Sequence, residues 1–193
     1  MREAKVYRKT KETKIRIKLV IDGNGNYDIQ SDIGFLNHML ETFCVHGLFD
    51  IDAEIKGDIY VDKHHTVEDV GIALGKAFKL ALGDKLGINR AGFFICPMDD
   101  TLVMTAIDIS GRPYLKFDAK YKNKKVGDMP TELVEDFFQG FVSSLMANLH
   151  IKVYYGRSDH HKIEAIFKSF AKAMKEACKI EGKALIPGVK EVL

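Results

Sequence analysis

The sequence lacks a long apolar run and an excess of either charge. No hydrophobic segment approaches the ~18 residues of a membrane-spanning helix, and the N-terminal residues 1–5 lack the apolar stretch of a signal peptide. Lysine and arginine number 29 against 27 aspartates and glutamates, a formal net charge of +2. The basic run at 120–125 is predicted to be a solvated loop. The composition therefore favours neither nucleic acid nor a membrane as a partner.

Cysteine is scarce. Cys44, Cys96 and Cys178 are an odd number without CxxC spacing, which argues against a disulfide framework or a zinc knuckle. They are predicted to be buried, reduced thiols in a cytoplasmic protein. The hydrophobic fraction of 46% is ordinary for a globular chain. The length of 193 residues fits one compact domain or two small halves that share a core.

A short cluster of potential metal ligands occurs twice. The sequence His-His-Thr-Val-Glu at 64–68 recurs as His-His-Lys-Ile-Glu at 160–164, an offset of 160 − 64 = 96 residues. The register continues beyond the cluster, since a Lys-Ala pair at 76–77 matches one at 172–173. A repeat at half the chain length indicates two fused copies of one unit. We expect repeats over 1–88 and 89–193, and the absence of a linker predicts one compact unit.

Periodicity predicts a similar order of elements in each repeat. Alternation of apolar residues predicts strands, and apolar residues three and four apart predict helices. Asp-Gly-Asn-Gly at 22–25 predicts a hairpin turn. We predict an internally duplicated α+β fold with a pseudo-twofold axis, in which helices pack on antiparallel or mixed sheets. The predicted strands are 14–22, 27–30, 51–59, 92–96, 102–109, 114–119 and 149–155, and the predicted helices are 35–44, 64–82, 133–146 and 160–178.

The repeated cluster suits a metal ion. Residues four apart share a helix face, so either histidine at 64–65 can converge with Glu68 on one ion, and the same holds for 160–161 with Glu164. The neighbouring histidine points about 100° away and could serve a second ion or a neighbouring subunit. Imidazole with carboxylate suits Mn, Fe, Co or Zn. Asp62 and Asp159 are predicted to accept hydrogen bonds from the imidazole rings.

The remaining histidines are ambiguous on sequence alone. His38 lies on an apolar helix and aligns near Asp136 in the other repeat, so a satisfied core residue and a ligand are equally favoured. His46 could simply terminate the same helix. His150, in a strand, is predicted to make a structural hydrogen bond.

These motifs resemble those of the imidazoleglycerol-phosphate dehydratases, and the resemblance covers essentially the whole chain. It implies a duplicated α+β fold and a carbon–oxygen lyase, a hydro-lyase of histidine biosynthesis, that converts imidazole glycerol phosphate to imidazole acetol phosphate. It also implies two Mn²⁺ ions per subunit and a closed shell of 24 subunits with active sites at interfaces. The segments that carry the resemblance are Lys11–Thr13, Gly34–Leu40, His46–Asp50, His64–Asp69, Gly111–Tyr114 and His160–Phe170.

The family pattern can be carried over residue by residue. The resemblance implies that Glu12 is the catalytic base. Taken alone, a glutamate beside Lys11 would be interpreted as a surface residue. Asp136 stands where the family commonly has histidine, and Gly188 and Val189 stand where it often has hydroxyl residues. The implied metal ligands are His38, His64, His65, Glu68, Asp136, His160, His161 and Glu164. The implied substrate-binding residues are Glu12, His38, His46, Arg90, Arg112, Lys168 and Lys190.

The implied chemistry explains a paired imidazole-binding metal site. A carbon-bound proton must leave although no carbonyl stabilises the resulting charge, and metal on the substrate's imidazole nitrogens withdraws that charge. Two alternatives stay open. A phosphate-ester metallohydrolase would release inorganic phosphate, and a metal that only joins subunits would leave no coordination position for an imidazole compound.

Overall fold

The computed structural model describes residues 1–182, which form two four-stranded sheets, one small hairpin and four long helices. No helix in this part of the chain is both long enough and apolar enough to cross a bilayer. In chain order the elements are β1 (Glu3–Lys9), β2 (Thr13–Val20), β3 (Tyr27–Gln30), α1 (Gly34–Gly47), β4 (Asp50–Gly57), α2 (His64–Leu82), β5 (Ala91–Met98), β6 (Thr101–Asp108), β7 (Tyr114–Asp118), β8 (Lys125–Val126), β9 (Met129–Pro130), α3 (Leu133–Leu145), β10 (Asn148–Tyr155) and α4 (Asp159–Cys178).

The two large sheets have the same topology. Their strand orders are β1-β2-β4-β3 and β5-β6-β10-β7, and in each the last pair is parallel while the others are antiparallel. Each sheet buries one face, as β2 shows with strict alternation of buried and exposed residues. The predicted duplicated α+β fold with mixed sheets is thereby confirmed. The two sheets fall on either side of residue 88, where the boundary between repeats remains a prediction.

Four phenylalanines, one from each helix, close a ring at the centre of the molecule. Phe43 of α1 lies 5.0 Å from Phe170 of α4, which lies 5.0 Å from Phe141 of α3. Phe78 of α2 completes the ring, with its centroid 5.9 Å from both Phe141 and Phe43. All four side chains are buried. Because each repeat contributes two of the rings, neither repeat has a complete core alone.

The turn at 22–25 does not form the predicted hairpin. β2 is bonded on its two sides to β1 and β4, and β3 lies parallel to β4 on that strand's far side. The Asp50 carboxylate holds the connection by accepting from the backbone N–H groups of Asn24 and Asn26, at 2.8 Å each. The turn sequence predicts that the chain changes direction, but it does not predict which strands pair. Here the pairing of β3 with β4 follows from the face of the sheet that they bury together.

Two strand regions were missed from the sequence. β1 is an edge strand in which only Val6 is buried, so it lacks the apolar alternation that marks a half-buried strand. β8 and β9 are two residues each, too short for any periodicity. The small β8–β9 hairpin nevertheless joins the repeats, since the Asp128 carboxylate accepts from the backbone N–H groups of Gly34 and Phe35 at the start of α1.

Close packing of α2 against α3 requires glycine on α2. A Cβ atom at Gly71 would lie 2.1 Å from the carbonyl oxygen of Phe137. Since that oxygen belongs to a helix backbone, only separation of the two helices would relieve the clash. We expect Gly71→Ala to lower the free energy of unfolding by about 2–3 kcal/mol, measured by urea denaturation. In the control Gly34→Ala, the new Cβ meets only an Asp128 oxygen at 4.0 Å, so we expect a change of about 0.5 kcal/mol or less. Equal effects of the two substitutions would contradict the packing argument.

Candidate active site

Helices α1 and α4 bring three potential metal ligands together. The Oε2 atom of Glu164 lies 3.2 Å from Nε2 of His160, one turn earlier on α4, and 3.8 Å from Nε2 of His38 on α1. Within residues 1–182, this is the group whose three ligand atoms all lie within 4.8 Å of one another. We call His38, His160 and Glu164 the α1–α4 cluster. One carboxylate oxygen facing two imidazole nitrogens is an arrangement that can hold one divalent cation.

The second oxygen of Glu164 is bound by Lys168. The Lys168 ammonium lies 2.7 Å from Oε1, and the Glu164 side chain is only 14% exposed. Burial opposes ionisation of this carboxyl group, but Lys168, with smaller contributions from His38 and His160, outweighs burial and lowers its pKa. Glu164 is therefore ionised at neutral pH, as a metal ligand must be.

Helices α2 and α3 form a second group, related to the first by the repeat. His64 Nε2 lies 3.7 Å from the Glu68 carboxylate, and His64 Nδ1 lies 3.4 Å from the Asp136 carboxylate. We call His64, Glu68 and Asp136 the α2–α3 cluster. The two carboxylates flank opposite ring nitrogens, so this cluster is more open than the α1–α4 cluster. Asp136, at the position where the resemblance leads us to expect histidine, lies beside His64.

The second histidine of each repeated motif is held by a carboxylate that belongs to neither cluster. Asp58 lies 3.1 Å from Nδ1 of His65, and Asp100 lies 2.8 Å from Nδ1 of His161. The hydrogen bond with Asp58 raises the pKa of His65, and the bond with His161 lowers the pKa of Asp100. In the neutral tautomer whose Nδ1 donates to such a carboxylate, Nε2 carries the lone pair with which a histidine binds metal.

A further carboxylate lies near the Nε2 atom of each of these two histidines. Oε1 of Glu12 lies 3.9 Å from Nε2 of His65, and Oδ2 of Asp99 lies 3.9 Å from Nε2 of His161. Glu12 lies in the β1–β2 connection and Asp99 in the β5–β6 connection, equivalent places in the two repeats. Glu12, which the resemblance implies to be the catalytic base, thus lies beside a motif histidine.

Asp62 and Asp159 do not accept from the imidazole rings, so that prediction was wrong. Asp62 accepts from the backbone N–H of His64 at the start of α2. Asp159 is buried and binds the 122–123 backbone and the Lys162 ammonium. The repeat could not reveal the actual acceptors, because at an offset of 96 residues Asp58 corresponds to Tyr154 and Asp100 to Ala4. The acceptors come from different connections, which only the folded chain brings to the histidines.

Basic residues implied in substrate binding are divided between distant places. His46 lies in the last turn of α1, where burial and the nearby Lys168 and Lys172 lower its pKa. Arg90 instead forms a two-bond ion pair with Asp108, at 2.6 and 3.0 Å. Its backbone N–H bonds to the carbonyl of Ala177, at the opposite end of α4 from His160.

The length of α4 separates Arg90 from the α1–α4 cluster of the same chain. His160 and Ala177 are 177 − 160 = 17 residues apart, which is roughly 25 Å along a helix. Arg112 lies near the C-terminal end of α3, because the N–H of the preceding Gly111 bonds to the carbonyl of Met146 just beyond that end. Asp136 lies in the first turn of the same helix, at its opposite end. Lys190 lies outside the described residues.

Comparison with known proteins decides the family. A model of the family described as imidazoleglycerol-phosphate dehydratase matches residues 31–174. The chain belongs to the imidazoleglycerol-phosphate dehydratase family. It is 54% identical over 195 residues to that dehydratase from Koribacter versatilis, covering 100% of both chains. It is 56% identical over 192 residues to the one from Caldicellulosiruptor bescii, covering 100% of this chain and 98% of the relative.

Solved structures of the family share the fold. The crystal structure of imidazoleglycerol-phosphate dehydratase from Staphylococcus aureus matches with a TM-score of 0.83 and 38% identity, covering 92% of this chain and 99% of that one. The Pyrococcus furiosus structure, a complex with (S)-C348, matches with a TM-score of 0.83 and 33% identity, covering 97% and 100%. The chain is therefore a hydro-lyase of histidine biosynthesis, and the predicted family and enzyme class are confirmed.

Proposed function

We propose that this chain converts imidazole glycerol phosphate to imidazole acetol phosphate with two divalent metal ions, one at each cluster. The observation that carries the proposal is the convergence of His38, His160 and Glu164 on one point. The α2–α3 cluster supplies the same kinds of donor. We propose Mn²⁺ as the metal, because imidazole and carboxylate ligands suit it. Other divalent metals that prefer the same ligands could replace it.

We further propose that each site is completed by a neighbouring copy of the chain. Each cluster offers three protein ligands, while the Nε2 atoms of His65 and His161 lie beside Glu12 and Asp99, which belong to neither cluster. These two histidines would then bind metal in adjacent subunits of a closed assembly, for which we propose 24 subunits. The roughly 25 Å along α4 between His160 and Ala177, the residue to which Arg90 bonds, supports the same conclusion, since within residues 1–182 Arg90 lies far from the α1–α4 cluster.

The outer surface of the second sheet offers a face for such assembly. Several large apolar side chains are exposed there, among them Phe93 at 70% and Tyr155 at 61%. Contact with another protein chain would remove these apolar groups from water. We propose that further copies of this chain cover them.

Cys44, Cys96 and Cys178 are buried and unpaired, which supports residence in the reducing cytoplasm.

Individual residues have separate tasks in the proposed reaction. One C–O bond and one C–H bond of the glycerol chain break, water leaves, and the resulting enol becomes the ketone. Bound metal would supply withdrawal of charge from the substrate's imidazole ring. Glu12, beside His65, would accept the carbon-bound proton. The substrate phosphate would be held by cationic side chains, those of Arg90, Arg112, Lys168 and Lys190.

Metal removal tests the proposal. We expect protein dialysed against a chelator to lose turnover of imidazole glycerol phosphate, and added Mn²⁺ to restore it, because the clusters bind the ring through metal. The assay should detect a ketone that retains its phosphate. Release of inorganic phosphate would instead indicate a metallohydrolase. Full turnover in verified metal-free protein would contradict the proposal.

The same chelated sample tests the interfacial site. Because each ion would join two chains, sedimentation velocity should show a large particle with Mn²⁺ and smaller species after chelation. A second Mn²⁺ addition should restore the large particle. A monomer that stays monomeric and active with Mn²⁺ would rule out a site shared between subunits.

A further inference from the structure

The turn that carries Glu12 is built around two threonine hydroxyls. Oγ1 of Thr10 accepts from the backbone N–H groups of Glu12, at 3.0 Å, and Thr13, at 2.9 Å. The same atom lies 3.2 Å from Oγ1 of Thr13. The N–H of Thr10 also bonds to the carbonyl of Thr13 at 2.9 Å, closing the turn. These bonds set the backbone of Glu12 relative to Thr13.

Asp69 of α2 forms hydrogen bonds with residues on both sides of this turn. One of its carboxylate oxygens accepts a hydrogen bond from the Thr13 hydroxyl, and the other accepts from Arg8 at 2.6 Å. Asp69 and Thr13 are both buried, at 6% and 4% exposure, so solvent does not compete for these bonds. Asp69 is one turn beyond His65 on α2. The helix that presents His65 and Glu68 is thus bonded to both strands that flank Glu12.

Within residues 1–182, the Glu12 side chain has no comparable anchor. It is 50% exposed, and its distance of 3.9 Å from His65 Nε2 is too long for a hydrogen bond. Its backbone carbonyl accepts from the N–H of Asp58, whose carboxylate also holds the His65 ring. The backbone of Glu12 therefore limits where its carboxylate can lie relative to His65, and that backbone is tied to α2.

We propose that Asp69, acting through Thr13 and Thr10, is a positioning residue that sets the Glu12 carboxylate beside His65 for proton abstraction. This inference rests on the proposed function, in which Glu12 is the base. A base must lie within hydrogen-bond reach of the proton it removes, and a displacement of about 1 Å can cost up to about 100-fold in rate. The alternative is a purely structural Asp69, paired with Arg8 to satisfy buried charge.

The pair Thr13→Val and Thr13→Ser separates these roles. Valine keeps the shape of threonine without the hydroxyl, so the bond to Asp69 is lost, while serine retains it. We expect Thr13→Val to lower kcat by about 10- to 100-fold, with KM within about twofold and unchanged bound Mn²⁺. Thr13→Ser should recover most of kcat. The matched control is Thr105→Val, which removes a buried 2.6 Å hydroxyl contact with Ser169 in the other repeat and should leave kcat unchanged.

A double substitution provides the decisive comparison. If Thr13 acts through Glu12, Thr13→Val should cost nothing more in a Glu12→Gln background. An equal loss in both backgrounds, or normal kcat in Thr13→Val alone, overturns the inference. If Thr13→Val does not fold, Asp69→Asn is measured in the same two backgrounds and is judged by the same two outcomes. Failure of the parent enzyme to turn over imidazole glycerol phosphate would reject the proposed function itself, which is a different result.

Discussion

Glu164→Gln is expected to remove one of the two proposed metal ions and nearly all turnover. Oε2 of Glu164 faces both imidazoles of the α1–α4 cluster, and the neutral amide of glutamine supplies no negative charge there. Substitutions that only support a ligand typically cost 10–100-fold in metal affinity or activity, so loss of a ligand should exceed about 100-fold. Metal analysis after dialysis should find about one ion per chain, and kcat/KM should fall with it.

Two further variants sharpen this test. Glu68→Gln should remove the ion of the α2–α3 cluster in the same way. Glu176→Gln is the matched control, because that side chain lies on α4 but bonds to Asn89 rather than to a cluster, and glutamine can still accept from it. Two ions per chain and normal turnover in Glu164→Gln would show that the α1–α4 cluster is not a metal site.

Glu12→Gln should separate catalysis from binding. Glutamine keeps the size of glutamate but is not a useful base, and general-base contributions run to about 10²–10⁴-fold. We expect kcat to fall by that amount while Mn²⁺ content, particle size and KM change little. The steady-state kinetics should be compared with those of Lys11→Gln, a change of charge in the same turn that leaves the carboxylate in place. Near-normal kcat in Glu12→Gln would remove this residue from the mechanism.

Sequence periodicity accounts for most of the helices and strands. Helical and alternating patterns are local properties, and the 96-residue repeat showed that the same elements occur twice. The i, i+4 spacing within α4 likewise predicted that His160 and Glu164 share a face, and their atoms lie 3.2 Å apart. Strand pairing was less accessible. The turn at 22–25 gave no sign that β3 pairs with β4 instead of β2, because pairing depends on which faces are buried together.

The sequence by itself determined the duplicated architecture, the family and the histidine–glutamate pairs, because each follows from a spacing along the chain or from motifs in it. Only the tertiary structure decided which other groups join those pairs. His38 meets His160 because α1 packs against α4, and Asp58 and Asp100 reach the second histidines from connections that the repeat does not relate. Such contacts depend on how the helices and sheets pack around the shared phenylalanine core, and residue spacing along the chain does not determine that packing.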